Sequence, residues 1–255
     1  ILASADTYPN SDFVLRFSRV NAVHDFSVAS YYEPDRSLGH FVLSLYPDTT
    51  IFTGPRPDLE IVLLVDISGS QGGWPIEKEK EICHSILNRL LPTDRLTVLA
   101  FNTSVRWCFG TSTPVDASAE NVETARTWID GLGAGGGTDL LGGVNAALSA
   151  PVTTEHERYY VFLTDGFITN EEAIFDALRT HPSSPTVFTF GAGNNLNRYF
   201  LDEAAAIGNG YSTEITQYEE VEPKVDQAWQ KIESPQLRNV SVDFGGLDVS
   251  DILMP

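Results

Sequence analysis

The chain has 255 residues, 42% of them hydrophobic, and a formal net charge of −19. At about 150 residues per domain this is one large domain, or one domain with a smaller partner, and it is long enough to bury a core. The acidity argues against nucleic acid, whose phosphates need a basic surface, and no apolar run approaches the ~20 residues that span a bilayer. The chain opens on Ile1, with neither an initiator Met nor a signal peptide. It therefore reads as an excised fragment.

In chain order, residues 11–20 (SDFVLRFSRV), 27–33 (SVASYYE) and 40–47 (HFVLSLYP) alternate apolar and polar with no helix between them. That is the pattern of antiparallel strands with one wet face. The run 59-LEIVLLV-65 is nearly continuous in apolar residues, as are 95-RLTVLAF-101, 158-RYYVFLT-164 and 186-TVFTFG-191. Such runs predict strands covered on both faces. Residues 104–110 follow the second run after a short turn and predict an antiparallel edge.

Helical patterns lie between the runs. Residues 76–91 carry Ile82, Cys83, Ile86, Leu87, Leu90 and Leu91 on one stripe, with Pro75 at the first turn and Pro92 as the stop. Residues 118–132 open on a capping Ser118, carry Val122, Ala125, Trp128 and Ile129 on one face, and close at Gly131. Further helices are predicted over 138–150, 170–181, 197–208 and 218–233, with Pro223 near the start of the last. Residues 237–246 return to strand-like alternation.

Strands alternating with helices imply βαβ units and a mostly parallel sheet. The expected fold class is α/β: a doubly wound, Rossmann-like sheet flanked by helices. The expected domains are a β-rich flank over 1–57, the α/β unit over 58–233, and a β segment over 234–255 returning to the N-terminal flank. The α/β unit would thus sit inserted in a small antiparallel module.

In such a sheet, ligands bind at the carboxyl ends of the strands, where the strand order reverses. Three polar clusters fall there: Asp66-x-Ser68-x-Ser70, Thr138 after the glycine run 131–137, and Asp165 before Gly166. All offer small hard oxygens, the donors that Mg²⁺, Mn²⁺ or Ca²⁺ take. No soft ligand accompanies them, which sets structural zinc aside. Asp-x-Ser-x-Ser alone is as well explained by a turn or helix cap.

The residues Asp66-Ile-Ser68-Gly-Ser70, Gly136-Gly137-Thr138 and Thr164-Asp165-Gly166 resemble the metal-ion-dependent adhesion site of von Willebrand factor type A domains. Stretches 93–105, 121–140, 161–174 and 188–210 resemble one branch in particular, the inter-alpha-trypsin inhibitor heavy chains and their bacterial relatives. The resemblance implies that Ser68, Ser70 and Thr138 supply hydroxyl ligands to a divalent cation, most often Mg²⁺. Asp66 and Asp165 would act directly or through water. It also implies a protein partner whose acidic residue completes the coordination, and an extracellular or cell-surface setting. Gln71 stands where Met is common and is expected at the rim. Trp74, Asp139, Asn170 and Glu171 are the other rim candidates, with no metal role assigned.

The segment Gly131–Gly136 fits Gly-x-Gly-x-x-Gly but follows a helix, not a first strand, so dinucleotide binding carries little weight. His24, His40, His84, His156 and His181 show no ligand spacing. Cys83 and Cys108 read as two unrelated thiols in preference to a pair. The sequons at Asn102 and Asn239 are short enough to arise by chance. Neither a nucleophile elbow nor a Walker loop is present. The leading expectation is a non-enzymatic, cation-dependent binding module. The alternative is a structural module in which the ion only stabilises the fold, and a phosphoester hydrolase ranks last.

Overall fold

The computed structural model describes residues 26–35, 38–45, 56–168, 170–193, 195–233 and 242–252. The chain divides into two compact units, Ile1–Gly54 and Pro55–Pro255. In the first, strands β1 (Phe26–Glu33) and β2 (Leu38–Leu45) pair antiparallel, with Phe26 opposite Leu45 and Glu33 opposite Leu38. The pairing bears out the antiparallel strands expected over 27–33 and 40–47 as far as Leu45, and residues 46–47 lie outside the described residues; β1 is exposed at most positions on both faces, where one wet face was expected. The expected strand over 11–20 lies outside the described residues, as do 237–241 of the expected return strand. Residues 242–246 form no strand.

The second unit is an α/β layer structure. Its chain order is β3 (Leu59–Asp66), α1 (Trp74–Leu87), β4 (Arg95–Phe101), β5 (Val105–Trp107), β6 (Val115–Asp116), α2 (Ala119–Asp130) and α3 (Leu140–Leu148). Then come β7 (Glu157–Leu163), α4 (Glu171–Thr180), β8 (Thr186–Ala192), α5 (Arg198–Ile207), β9 (Tyr211–Ile215) and α6 (Val221–Glu233). The strand order is β5-β4-β3-β7-β8-β9, and β6 also pairs with β4. β3, β4, β7, β8 and β9 run parallel. β5 runs antiparallel along β4, as expected for the edge over 104–110, and β6, not foreseen from the sequence, does the same.

β3 is buried at all eight positions, which explains its continuous apolar run. Its alternate residues serve two cores. Leu59, Ile61, Leu63 and Val65 pack with α1, α2 and α6, while Val62 and Leu64 pack with α3, α4 and α5. Helices on both faces are what the parallel core of such a sheet requires.

Local chemistry sets the helix ends. Ser118 Oγ accepts from Asn121 N at 3.2 Å and starts α2, and Pro75 sits in the first turn of α1, where a missing N–H costs nothing. β9 was not legible beforehand. Its five residues, YSTEI, are largely polar, and only Thr213 and Ile215 are buried. A nearby signal is the tight approach of Gly208 and Gly210 to Val187: a Cβ on Gly210 would lie 1.8 Å from Val187 O.

At the amino ends of the strands the buried carboxylates are neutralised. Glu60 pairs with Arg158, which also donates to Ala150 O at 2.8 Å. Asp94 receives both Arg56 nitrogens, at 2.8 and 2.6 Å, and the backbone N–H groups of Leu59 and Leu91.

Candidate functional site

The switch point falls at β3, which pairs with β4 on one side and β7 on the other. Asp66 is the last residue of β3, opposite Phe101 in β4 and one step beyond the Val65–Leu163 pair. Its carboxylate is fully buried. Oδ1 accepts from Ser68 N at 2.8 Å, and Oδ2 accepts from the Thr164 hydroxyl at 2.7 Å. Burial raises its pKa above the ordinary range, and the neighbouring Asp165 adds to the rise. The hydrogen bonds from Ser68 and Thr164 act the other way.

After Asp66 the chain curls into a single 3-10 turn, Gly69–Gln71. This sets Ser68 Oγ 3.0 Å from Ser70 Oγ. Ser68 is buried and Ser70 exposed, so the pair runs from the floor of the site to its rim. Asp165 is buried, and its Oδ1 accepts from Phe167 N at 3.0 Å.

The glycine run is the strut that brings Thr138 to the same edge. Gly69 N donates to Gly136 O at 2.9 Å, and Gly135 N donates to Ile67 O at 2.8 Å. Gly136 takes φ +87°, where a side chain is strained, and a Cβ on Gly69 would stand 3.1 Å from Gly136 O. Asn102, just after β4, buttresses the strut: its Nδ2 donates to Gly135 O at 2.9 Å, and its backbone carbonyl accepts from Asp139 N at 2.6 Å. Thr138, between the strut and that anchor, is exposed.

The rim candidates take different places. Asp139 is the N-cap of α3, its Oδ1 accepting from Gly142 N at 2.9 Å. Asn170 is exposed, and Glu171 Oε1 accepts from Asn197 Nδ2 at 3.0 Å, which ties the starts of α4 and α5. Trp74 is the half-buried first residue of α1. Gln71, expected at the rim, is instead fully buried, with both amide atoms unpartnered. The 3-10 turn rotates it inward.

Three residues near the site escaped the sequence reading as functional positions. Thr164 and Asn102 are positioning groups whose partners are visible only in three dimensions. Glu79 is a fully buried acid on α1 without a hydrogen-bond partner. Its signal was available: position 79 lies four residues after Pro75 and four before Cys83, on the buried stripe.

Among the described residues, no group of three or more Asp, Glu, His or Cys side chains forms a ready-made metal cage. The site's donors are two carboxylates, Asp66 and Asp165, and three hydroxyls, Ser68, Ser70 and Thr138. Hard oxygens with few charges fit a magnesium-type ion that keeps part of its water shell. The residues present therefore fit such an ion.

Residues 59–213 match the von Willebrand factor type A domain. A von Willebrand factor A domain-containing protein of Dictyostelium discoideum is 30% identical over 192 residues, 74% of this chain and 20% of that protein. The human von Willebrand factor A domain-containing protein 5B1 is 24% identical over 196 residues, 76% of this chain and 16% of that protein. The chain thus spans a fifth or less of the length of these relatives.

Among solved structures, a von Willebrand factor type A protein from Catenulispora acidiphila superposes with a TM-score of 0.60 at 15% identity. That match covers 82% of this chain and 49% of the other. The mussel byssus proximal thread matrix protein 1, in a structure with a zinc-occupied MIDAS motif, superposes at 0.53 and 15% identity over 68% of this chain and 48% of its own. At these identities the superpositions speak for the fold alone. Fold, strand-end geometry and the match over 59–213 agree, and the chain belongs to the von Willebrand factor type A domain family.

Proposed function

We propose that this chain is a divalent-cation-dependent binding module that engages an acidic group of a protein partner. The observation that carries the reading is the convergence of Asp66, Ser68, Ser70 and Asp165 at the switch point, joined by the Thr164–Asp66 and Ser68–Ser70 contacts. Asp66 and Ser68 form a buried floor, and Ser70 and Thr138 an exposed rim. A divalent cation held by these residues would supply a positive charge, which suits a carboxylate.

The protein's own residues do the rest. Thr164 and Ser68 N fix the rotamer of Asp66, Phe167 N fixes Asp165, and the Gly135–Gly136 strut holds the rim in register with the floor. The chain's net charge of −19 would repel an acidic partner, so binding would depend on the ion. We read the module as non-catalytic and as working at a cell surface or outside it. Mg²⁺ is the favoured ion, with Mn²⁺ and Ca²⁺ as the other candidates.

The test is calorimetric titration of chelator-stripped protein with Mg²⁺, Mn²⁺ and Ca²⁺, followed by acidic peptides presented to the loaded protein. A one-site isotherm lost in Asp66→Ala, with carboxylate binding only when loaded, supports the reading. Cation binding without affinity for any acidic ligand leaves a structural ion and overturns the adhesive part.

A further inference from the structure

Five carboxylates are buried among the described residues: Glu60, Asp66, Glu79, Asp94 and Asp165. Four are accounted for. Glu60 and Asp94 face arginines, and Asp66 and Asp165 accept hydrogen bonds within the candidate cation site. Glu79 is the exception, with 0% exposure and neither oxygen in a hydrogen bond. An isolated buried carboxylate is among the costliest groups a fold can carry. An apolar residue at this stripe position would fill the core at no such cost, so folding alone gives no reason for an acid here.

Its surroundings point to a reason. Glu79 lies on α1, the helix that follows the Ser68–Ser70 turn. The charges that bear on it are those of Asp66, at the end of β3, and Asp165, after β7. Both are members of the candidate site, and both repel it. On its own helix, Cys83 is one turn away, its thiol pushed upward by burial and by Glu79. No positive charge is among the groups that bear on Glu79. Gln71, buried with its amide unpartnered, marks the adjoining 3-10 turn as a second place where polar groups lack protein partners.

We propose that Glu79 is an inner counter-charge of the cation site, a positioning residue that does not ligate the ion but raises its affinity through the protein interior. The inference rests on the cation-binding reading above. Glu79 does not complete a three-carboxylate cage with Asp66 and Asp165, so its action is through the field, which a low-dielectric interior transmits well. Without an ion, burial, then Asp66 and Asp165, hold its carboxyl well above the ordinary 4.5 and favour the neutral form. A divalent cation reverses the sign of the nearby field and favours the carboxylate. Loading then releases a proton from a residue that never touches the metal.

The experiment is calorimetric titration of chelator-stripped wild type, Glu79→Gln and Glu79→Leu with Mn²⁺ and Mg²⁺ between pH 5 and 8, in two buffers of different ionisation enthalpy. Glu79→Gln imitates the neutral acid, so the cation-free protein should keep its thermal stability. Its cation affinity at pH 7.5 should fall about 10- to 100-fold, the range seen when outer groups of a metal site are removed. The wild type should release more protons per cation than the variant, and its affinity should climb more steeply with pH. Glu79→Leu should weaken the cation equally while leaving the cation-free protein as stable or more so, which serves if the Gln variant folds poorly. Wild-type affinity and proton count in both folded variants overturn the proposal. A folded wild type that binds no cation overturns the underlying cation reading and this proposal with it, a result distinguishable from the first.

Discussion

The hydroxyl of Thr164 donates to Asp66 Oδ2 at 2.7 Å and thereby joins the ends of β7 and β3, 98 residues apart in sequence. The Thr164 hydroxyl oxygen also accepts from Gly166 N at 3.0 Å, so one side chain orients a candidate ligand and shapes the loop bearing Asp165. Thr164→Val keeps the shape and removes both bonds. Cation affinity should fall about 10- to 100-fold, with a stability loss of about 1–2 kcal/mol, read by calorimetry and urea unfolding. Unchanged affinity would place Thr164 outside the site's support.

Asp66→Ala should abolish cation binding and leave a cooperative unfolding transition. The substitution orphans the Thr164 hydroxyl and Ser68 N–H, at about 1 kcal/mol each. It also removes a buried carboxylate facing Asp165, and the two effects oppose each other. Circular dichroism with a denaturant series checks this; loss of folding would mean that Asp66 is a structural residue.

Gly136→Ala puts a side chain at φ +87° and against Asn102 Nδ2 at 3.3 Å. It should cost about 1–2 kcal/mol, and cation affinity should fall with it, because Gly136 O holds the Gly69 turn. Equal affinity at reduced stability would show that the strut supports the fold but not the site.

The cation-free protein should lose stability as pH rises. The folded-state pKa values of Glu79 and Asp66 are raised above the ordinary 4.5 and 3.8. The folded state therefore holds protons that the unfolded chain gives up. The stability they contribute is complete below those ordinary values and is lost as pH climbs through the folded ones. Saturating divalent cation should flatten or reverse that slope, measured as Tm against pH with and without ion.

Far from the site, Arg158→Met should cost about 3–5 kcal/mol, because it leaves Glu60 buried without its partner. Cation affinity of the folded fraction should not change. Urea midpoints and calorimetry on the same samples separate the two effects.

Much of this was legible in the linear chain. β3, β4, β7 and β8 announced themselves as apolar runs because strands covered on both faces have no polar side to show. The caps and stops at Ser118, Pro75 and Gly131 act over one helical turn and can be read locally. Asp66, Ser68 and Ser70 were legible because alternate residues at a strand end reach one loop. Thr138 and Asp165 came from family resemblance joined to strand order, since nothing local links either to Asp66. β9 escaped because an edge strand with one polar side resembles a loop until its partner β8 is known.

The sequence by itself determined the α/β alternation and placed the oxygen donors Asp66, Ser68 and Ser70 at a strand end, because these follow from local periodicity and residue chemistry. Only the tertiary structure decided which of the acidic and polar residues are spoken for. Asp139 became a helix cap, Glu171 a tie to Asn197, and Gln71 an inward amide, while Glu79 stood out as a buried acid without a partner. The physical reason is that partnership and solvation depend on distance through space. Burial, hydrogen bonds and neighbouring charges come from segments that the chain order keeps far apart.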